Sequence, residues 1–189
     1  LRYVSRSEFE SYRGPNSSEL RDQHFESQAN PAQRADPNYR RKWEEQHPLG
    51  WVEQRLALSQ YGRYGKWLRE KNVVVKINNA LFLHGGISPK YVSLSIREMN
   101  ERIQAELRSL MQQNSACLDA EGPVWYRGLA EDSSPGLAAH VDNVLKTFGV
   151  QYMVIAHTPT PGVVMPRFDG KVILIDVGLS RDYGDSPVC

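Results

Sequence analysis

Cysteine is scarce in this sequence, neither sign of charge dominates, and no apolar run is long. Cys117 and Cys189 are the only 2 cysteines in 189 residues. Two thiols so far apart in sequence either pair in an oxidising compartment or stay reduced, so no disulfide framework organises the chain. There is no CxxC pair, no HExxH and no DxDxDG loop, which removes three common metal-site signatures. Lys and Arg number 23 against 22 Asp and Glu, for a net charge of +1. That balance, with no dense Lys/Arg run, argues against a nucleic-acid partner. No stretch approaches the ~18 apolar residues that a membrane span needs. An initiator Met and a signal-like leader are also lacking. Leu1-Arg2-Tyr3-Val4 reads as the middle of an element, and the expectation is that further sequence precedes it.

What is present centres on Val73 to Pro89, VVVKINNALFLHGGISP. Two apolar runs flank Asn78-Asn79, a dipeptide that tolerates positive φ and predicts a tight β-hairpin. The second strand is almost wholly apolar, which predicts burial on both faces, and it stops at His84-Gly85-Gly86. The glycines remove every Cβ there, so a ligand or another main chain can come close. Gln151 to Ala156 repeats the arrangement, an apolar strand ending at His157-Thr158-Pro159. In open α/β sheets, ligands sit outside the carboxyl ends of strands, and neutral imidazole is a common metal ligand. Two histidines delivered this way are either half of a metal site or two strand-end residues satisfied by hydrogen bonds.

Elsewhere the periodicity divides the chain. Residues 1–50 are polar, with Phe9, Tyr12, Leu20, Phe25, Tyr39 and Trp43 as anchors for short helices and breaks at Gly14-Pro15 and 29–37. Arg40 to Lys42 reads as a solvated helix face. From Trp51 to Lys71 an amphipathic pattern including Tyr61, Tyr64, Trp67 and Leu68 predicts core helices, with Gly62 and Gly65 marking close packing or a break. Ser95 to Gln113 predicts a helix opened by a Ser95/Glu98 capping box. Gly122 to Gly128, GPVWYRG, reads as a loop that holds Arg127 between aromatic anchors. A guanidinium fixed in this way suits oxyanion recognition, the alternative being a surface salt bridge. Ser134-Pro135 starts a second helix that stops at Gly149, on which His140 has a packing role. Strands follow at 152–156, 163–165 and 172–175. The last ends at Asp176, either a carboxylate that orients an imidazole or a plain turn residue.

In their order these pieces resemble the calcineurin-like metallophosphoesterase superfamily, in its bacterial and Shewanella-like protein phosphatase branch. The matching stretches are LRYVSRSEF (Leu1 to Phe9), GKWL (Gly65 to Leu68), FLHGGISP (Phe82 to Pro89), GPVWYRGLA (Gly122 to Ala130), IAHTPT (Ile155 to Thr160) and IDVGLS (Ile175 to Ser180). The resemblance implies an α/β fold, one part of a four-layer α/β/β/α sandwich with a helical cap insertion at residues 10–60 and the sandwich half at 61–189. It implies His84 and His157 as ligands of one metal ion and Arg127 as a substrate-binding residue. Ala156 stands where such proteins usually carry glycine. Of the five motif blocks of that superfamily only the last two are present. The GDxHG, GDxxDRG and GNHE blocks, with their bridging carboxylates, would lie in a missing N-terminal half.

The activity implied is metal-dependent hydrolysis of phosphomonoesters by the intact protein, with two divalent ions drawn from Mn, Fe or Zn and a phosphoprotein or small phosphoester as substrate. Two neutral imidazoles offer no negative charge to offset two dications, so this segment is expected to be inactive alone and to bind at most one ion. Two other readings stay open. One is a non-catalytic binding module that keeps the fold, and the other is a one-metal protein using His84, His157 and Asp176.

Overall fold

The computed structural model describes residues 4–109 and 115–179. The end of the expected Ser95 to Gln113 helix, the first three residues, Ser180 and Cys189 lie outside them. The chain divides into two compact units, Leu1–Arg69 and Glu70–Cys189. Among the described residues no helix is long and apolar enough to cross a membrane.

The first unit is helical: α1 (Arg6–Ser11), α2 (Ser17–Gln28), α3 (Pro31–Ala35), α4 (Pro37–Gln46), α5 (Trp51–Leu58) and α6 (Arg63–Arg69). Short polar helices need caps, because their ends leave unpaired backbone groups that little burial compensates. Asn30 and Gln33 form a capping box on α3, and the Asp36 carboxylate accepts from Asn38 N–H at the start of α4. Phe25, Ala29 and Trp43 make the small core, with the Phe25 and Trp43 rings 5.1 Å apart edge to face. Arg41 and Lys42 are exposed, as the RRK run suggested, whereas Arg40 is half-buried. Its guanidinium lies 4.3 Å above the Phe25 ring and is ion-paired to Asp22 and Glu44, because a planar cation can cover an aromatic face and still reach carboxylates. The aromatics of 61–68 also depart from expectation. Tyr61 is 77% exposed, and Tyr64, Trp67 and Leu68 are exposed too. Periodicity shows which residues share a stripe but not whether anything covers it.

The second unit is built on the hairpin. β1 (Val74–Ile77) and β2 (Ala80–Leu83) pair antiparallel about Asn78, whose φ is 54°. After α7 (Ile96–Arg108), α8 (Gly128–Glu131) and α9 (Leu137–Phe148) come β3 (Tyr152–Ile155), β4 (Met165–Arg167) and β5 (Val172–Leu174). The sheet order is β1-β2-β3-β5-β4, with β2, β3 and β5 parallel and the two outer pairs antiparallel. Three parallel strands thus end at one edge, where His84, His157 and Asp176 follow.

One face of the sheet is closed. Leu81, Leu83, Met153, Ile155, Val172 and Leu174 pack with Met99 and Ile103 of α7 and Val141, Val144 and Leu145 of α9. The Ser95/Glu98 capping box opens α7 as expected. Its described part runs to Arg108, after which Ser109 is extended and its N–H donates to Ala105 C=O. Asn100, buried on α7, accepts from Val73 and Val74 N–H at 2.9 and 3.0 Å and donates to Val74 C=O at 2.8 Å. One side chain therefore satisfies three backbone groups at the edge strand β1. At the far end of α9, Gly149 caps with φ 61° while Lys76 Nζ donates to Phe148 and Gly149 C=O, a cation on orphan carbonyls. His140 has the expected packing role, its Nε2 bonded to Ile87 O at 2.7 Å.

The opposite face is less covered, which corrects the expectation for β2. Phe82 is 36% exposed, and Ile77 and Ile175 are exposed as well. An all-apolar strand fits a sheet buried on both sides, but the described helices of this unit supply one layer only. The last strands shift too. Met165 to Arg167 pair with β5, leaving Val163 and Val164 exposed in the preceding loop.

Candidate functional site

Each histidine is placed by the main chain that follows its strand. His84 C=O accepts from Ala156 N–H at 2.9 Å and Ile155 C=O from Ile175 N–H at 2.9 Å, so the ladder continues one step past the strands. The rings meet beyond it. His157 Nδ1 lies 3.0 Å from His84 Nε2, and the ring centres are 4.8 Å apart. Only one proton fits between those two nitrogens, so one ring donates and the other presents its lone pair. The other nitrogen of His157, Nε2, is buried and has no hydrogen-bond partner among the described residues.

The turn at His157 is unusual. His157 has φ 65°, and Thr158 N–H donates to Ala156 C=O at 2.7 Å, closing a three-residue turn around the histidine. A γ-turn with positive φ is rare for a residue with a side chain. Arg127 reaches this turn from the 122–128 loop, and its Nη1 donates to His157 C=O at 3.0 Å and to Thr158 Oγ1 at 3.1 Å. Trp125 sets its ring edge-on to His157 with centres 5.2 Å apart, while its Nε1 donates to Cys117 C=O at 2.8 Å. The loop is seated on the glycines. Gly85 and Gly86 N–H both donate to Pro123 C=O, at 2.8 and 3.3 Å, so the close approach these glycines permit is to another main chain. Beside Arg127 a groove of about 460 Å³ is lined by Leu118, Ala120 and Trp125.

Asp176 completes the edge as a turn residue. Its Oδ1 accepts from Gly178 N–H at 3.1 Å, and its C=O accepts from Thr160 N–H at 2.7 Å, which ties the His157 loop to β5. Its charge reaches both imidazoles and works to raise their pKa values, but burial dominates and holds both below the ordinary value, with the Arg127 guanidinium adding to the depression. Neutral rings at neutral pH keep lone pairs for a ligand.

The geometry of the pair fits a shared divalent ion. Metal to nitrogen distances of about 2.1 Å with an angle near 90–110° put two ligating nitrogens about 3.0–3.4 Å apart. The observed 3.0 Å lies in that range. Among the described residues no three His, Cys, Asp or Glu side chains are grouped so as to hold an ion. Asp176 therefore does not join the pair as a third ligand, because its carboxylate is turned into its own loop. Sequence reasoning brought forward His84, His157, Arg127 and Asp176, and all four share this edge. It missed Thr158 and the turn, for which the only signal was a Thr-Pro-Thr-Pro run after a histidine.

The comparisons with known proteins point to phosphatases. The chain is similar to Shewanella-like protein phosphatases, as the motif resemblance implied. Shewanella-like protein phosphatase 2 of Arabidopsis thaliana is 24% identical over 125 residues, 64% of this chain and 32% of the relative. Shewanella-like protein phosphatase 1 of Plasmodium berghei is 26% identical over 137 residues, covering 66% and 37%. An uncharacterized protein of Schizosaccharomyces pombe is 34% identical over 123 residues, covering 61% and 37%. Among solved structures, a cold-active protein tyrosine phosphatase matches with TM-score 0.57 and 30% identity over 70% of this chain and 39% of that one. The enzyme of that description from a psychrophilic Shewanella species matches with TM-score 0.58 and 27% identity, covering 76% and 44%. No family model matches the chain. The chain thus spans about a third of the curated relatives it matches and about two fifths of the solved ones.

Proposed function

We propose that this chain carries one edge of the active site of a metal-dependent phosphatase, in which His84 and His157 hold a divalent ion and Arg127 binds a phosphoryl oxygen. The observation that carries the reading is the 3.0 Å approach of two imidazole nitrogens from adjacent parallel strand ends. A divalent ion at such a site, Mn, Fe or Zn, polarises the phosphoryl group and activates water. What the chain itself does is narrower. The apolar strands fix where the rings stand, burial keeps them neutral, and Arg127, whose Nη1 lies 3.9 Å from Glu131 Oε1 and whose Nε and Nη2 donate to no described residue, offers two donors to an anion.

Full activity on phosphoproteins or small phosphoesters belongs to a longer protein on this reading. The carboxylates needed to offset a second dication come from sequence outside this chain, from which a second sheet covers the Phe82 and Ile77 face in a four-layer sandwich, with residues 10–60 as a helical cap. The nearly balanced net charge supports a protein or small-ester substrate over a nucleic acid. The test compares the 189-residue chain with one extended upstream, both loaded with Mn²⁺ and assayed on para-nitrophenyl phosphate. The extended protein should turn over, the short chain should not, and His84→Ala should abolish activity and lower bound metal. Full metal content and turnover after His84→Ala would overturn the reading.

A further inference from the structure

The backbone at His157 combines a non-glycine residue at φ 65° with a single-peptide turn closed at 2.7 Å. A conformation of this sort persists only where its surroundings hold it. We propose that Arg127 and Thr158 form a clamp on this turn, so that both are positioning residues for His157: a second role for Arg127 and a first one for Thr158.

The two acceptors, His157 C=O at 3.0 Å and Thr158 Oγ1 at 3.1 Å, lie on either side of one peptide, and a single Arg127 nitrogen spans them. That nitrogen is therefore committed to the protein. A second cross-tie works from the other side, where Thr160 N–H donates to Asp176 C=O at 2.7 Å and its hydroxyl to Val163 C=O at 2.6 Å. Without the clamp the turn relaxes to ordinary negative φ, and Nδ1 swings away from the 3.0 Å approach. Arg127 thereby couples the substrate side of the site to the ligand side, since the residue that meets the anion also sets the ring.

The proposal rests on reading His84 and His157 as metal ligands, and the test separates the two claims. In the full-length protein, Thr158→Val removes the acceptor at constant shape and Thr158→Ser restores it. Mn²⁺ affinity is read by calorimetry, and the ring ¹⁵N resonances of the metal-free protein are read by NMR. Thr158→Val should weaken Mn²⁺ binding about tenfold and move the His157 resonances, and Thr158→Ser should bind within about threefold of the parent. Wild-type affinity and unmoved resonances for Thr158→Val overturn the clamp. If that variant fails to fold, Arg127→Lys decides instead: it keeps the charge but not the bridging geometry, and wild-type Mn²⁺ affinity there is equally fatal. Undiminished Mn²⁺ binding by His84→Ala would sink the ligand reading itself. Loss of binding there, beside no change in Thr158→Val, would sink only the clamp.

Discussion

Adding one methyl group at Gly85 should push the Trp125 and Arg127 loop away from the histidines. A Cβ built there meets Pro123 O and Tyr126 N at 2.9 Å and Val124 C at 3.0 Å, all of them main-chain atoms that no rotamer change can move. The loop must retreat by a few tenths of an ångström, which stretches the 2.8 Å bond from Gly85 N–H to Pro123 C=O. Overpacking of this kind costs about 1–3 kcal/mol and a weakened hydrogen bond about 0.5–1.5, while the lost chain entropy of glycine returns about 0.4–1. The net is a loss of about 0.5–4 kcal/mol, centred near 2, or roughly 1–16 °C in Tm for a chain of this size. Gly86 is the control. A Cβ there meets only side chains, Leu129 Cδ1 at 3.1 Å and Tyr126 Cδ1 at 3.2 Å, which can give way, so Gly86→Ala should cost about 1 kcal/mol or less. Urea titrations of the two variants measure the difference. Equal stabilities, or a larger loss at Gly86, would refute the argument that loop backbone and not side-chain packing makes Gly85 necessary.

Two further outcomes are expected. Asn100→Ala strips the partners from Val73 N–H, Val74 N–H and Val74 C=O, and should cost about 2–4 kcal/mol by urea denaturation, a loss under about 1 kcal/mol meaning that β1 finds other partners. Stability should also fall on acidification. His84, His157 and His24 all sit below the ordinary value of 6.5, chiefly because of burial. As pH drops below about 6.5 the unfolded chain takes up protons first, so folding weakens through the window down to the depressed folded values and stays flat above it. Urea midpoints at pH 7.5 and 5.5 test this, and a midpoint that rises on acidification would contradict the sign.

Much of the sheet could be read from residue order, because its signals are local. Asn78 at φ 54° is where Asn-Asn was expected to turn, and Gly149 at φ 61° is where the α9 pattern was expected to stop. The histidines were legible for a related reason, since an apolar strand cut short by glycine or Thr-Pro has to deliver its next side chain at an edge. The failures concern what is distant in sequence. Nothing in the spacing of Tyr61, Tyr64, Trp67 and Leu68 reveals whether their stripe is covered, and nothing local to Phe82 shows how many helix layers its sheet has. Helix α8 was missed because four residues carry no periodicity. Arg127 was legible as a held guanidinium, whereas its grip on Thr158 depends on a contact across 31 positions.

His84 and His157 stand 73 positions apart and meet only through the parallel pairing of β2 with β3. Parallel neighbours cannot be joined by a short turn, so α7, α8 and α9 all lie inside the crossover that brings the two rings together. The contact closes a loop of 73 positions and is thus expected to form after the local hairpin. The proximity of the rings is consequently a property of the whole crossover, and a spectroscopic probe on either ring would serve as a clock for its assembly, reporting closure long after the β1–β2 hairpin has fallen silent.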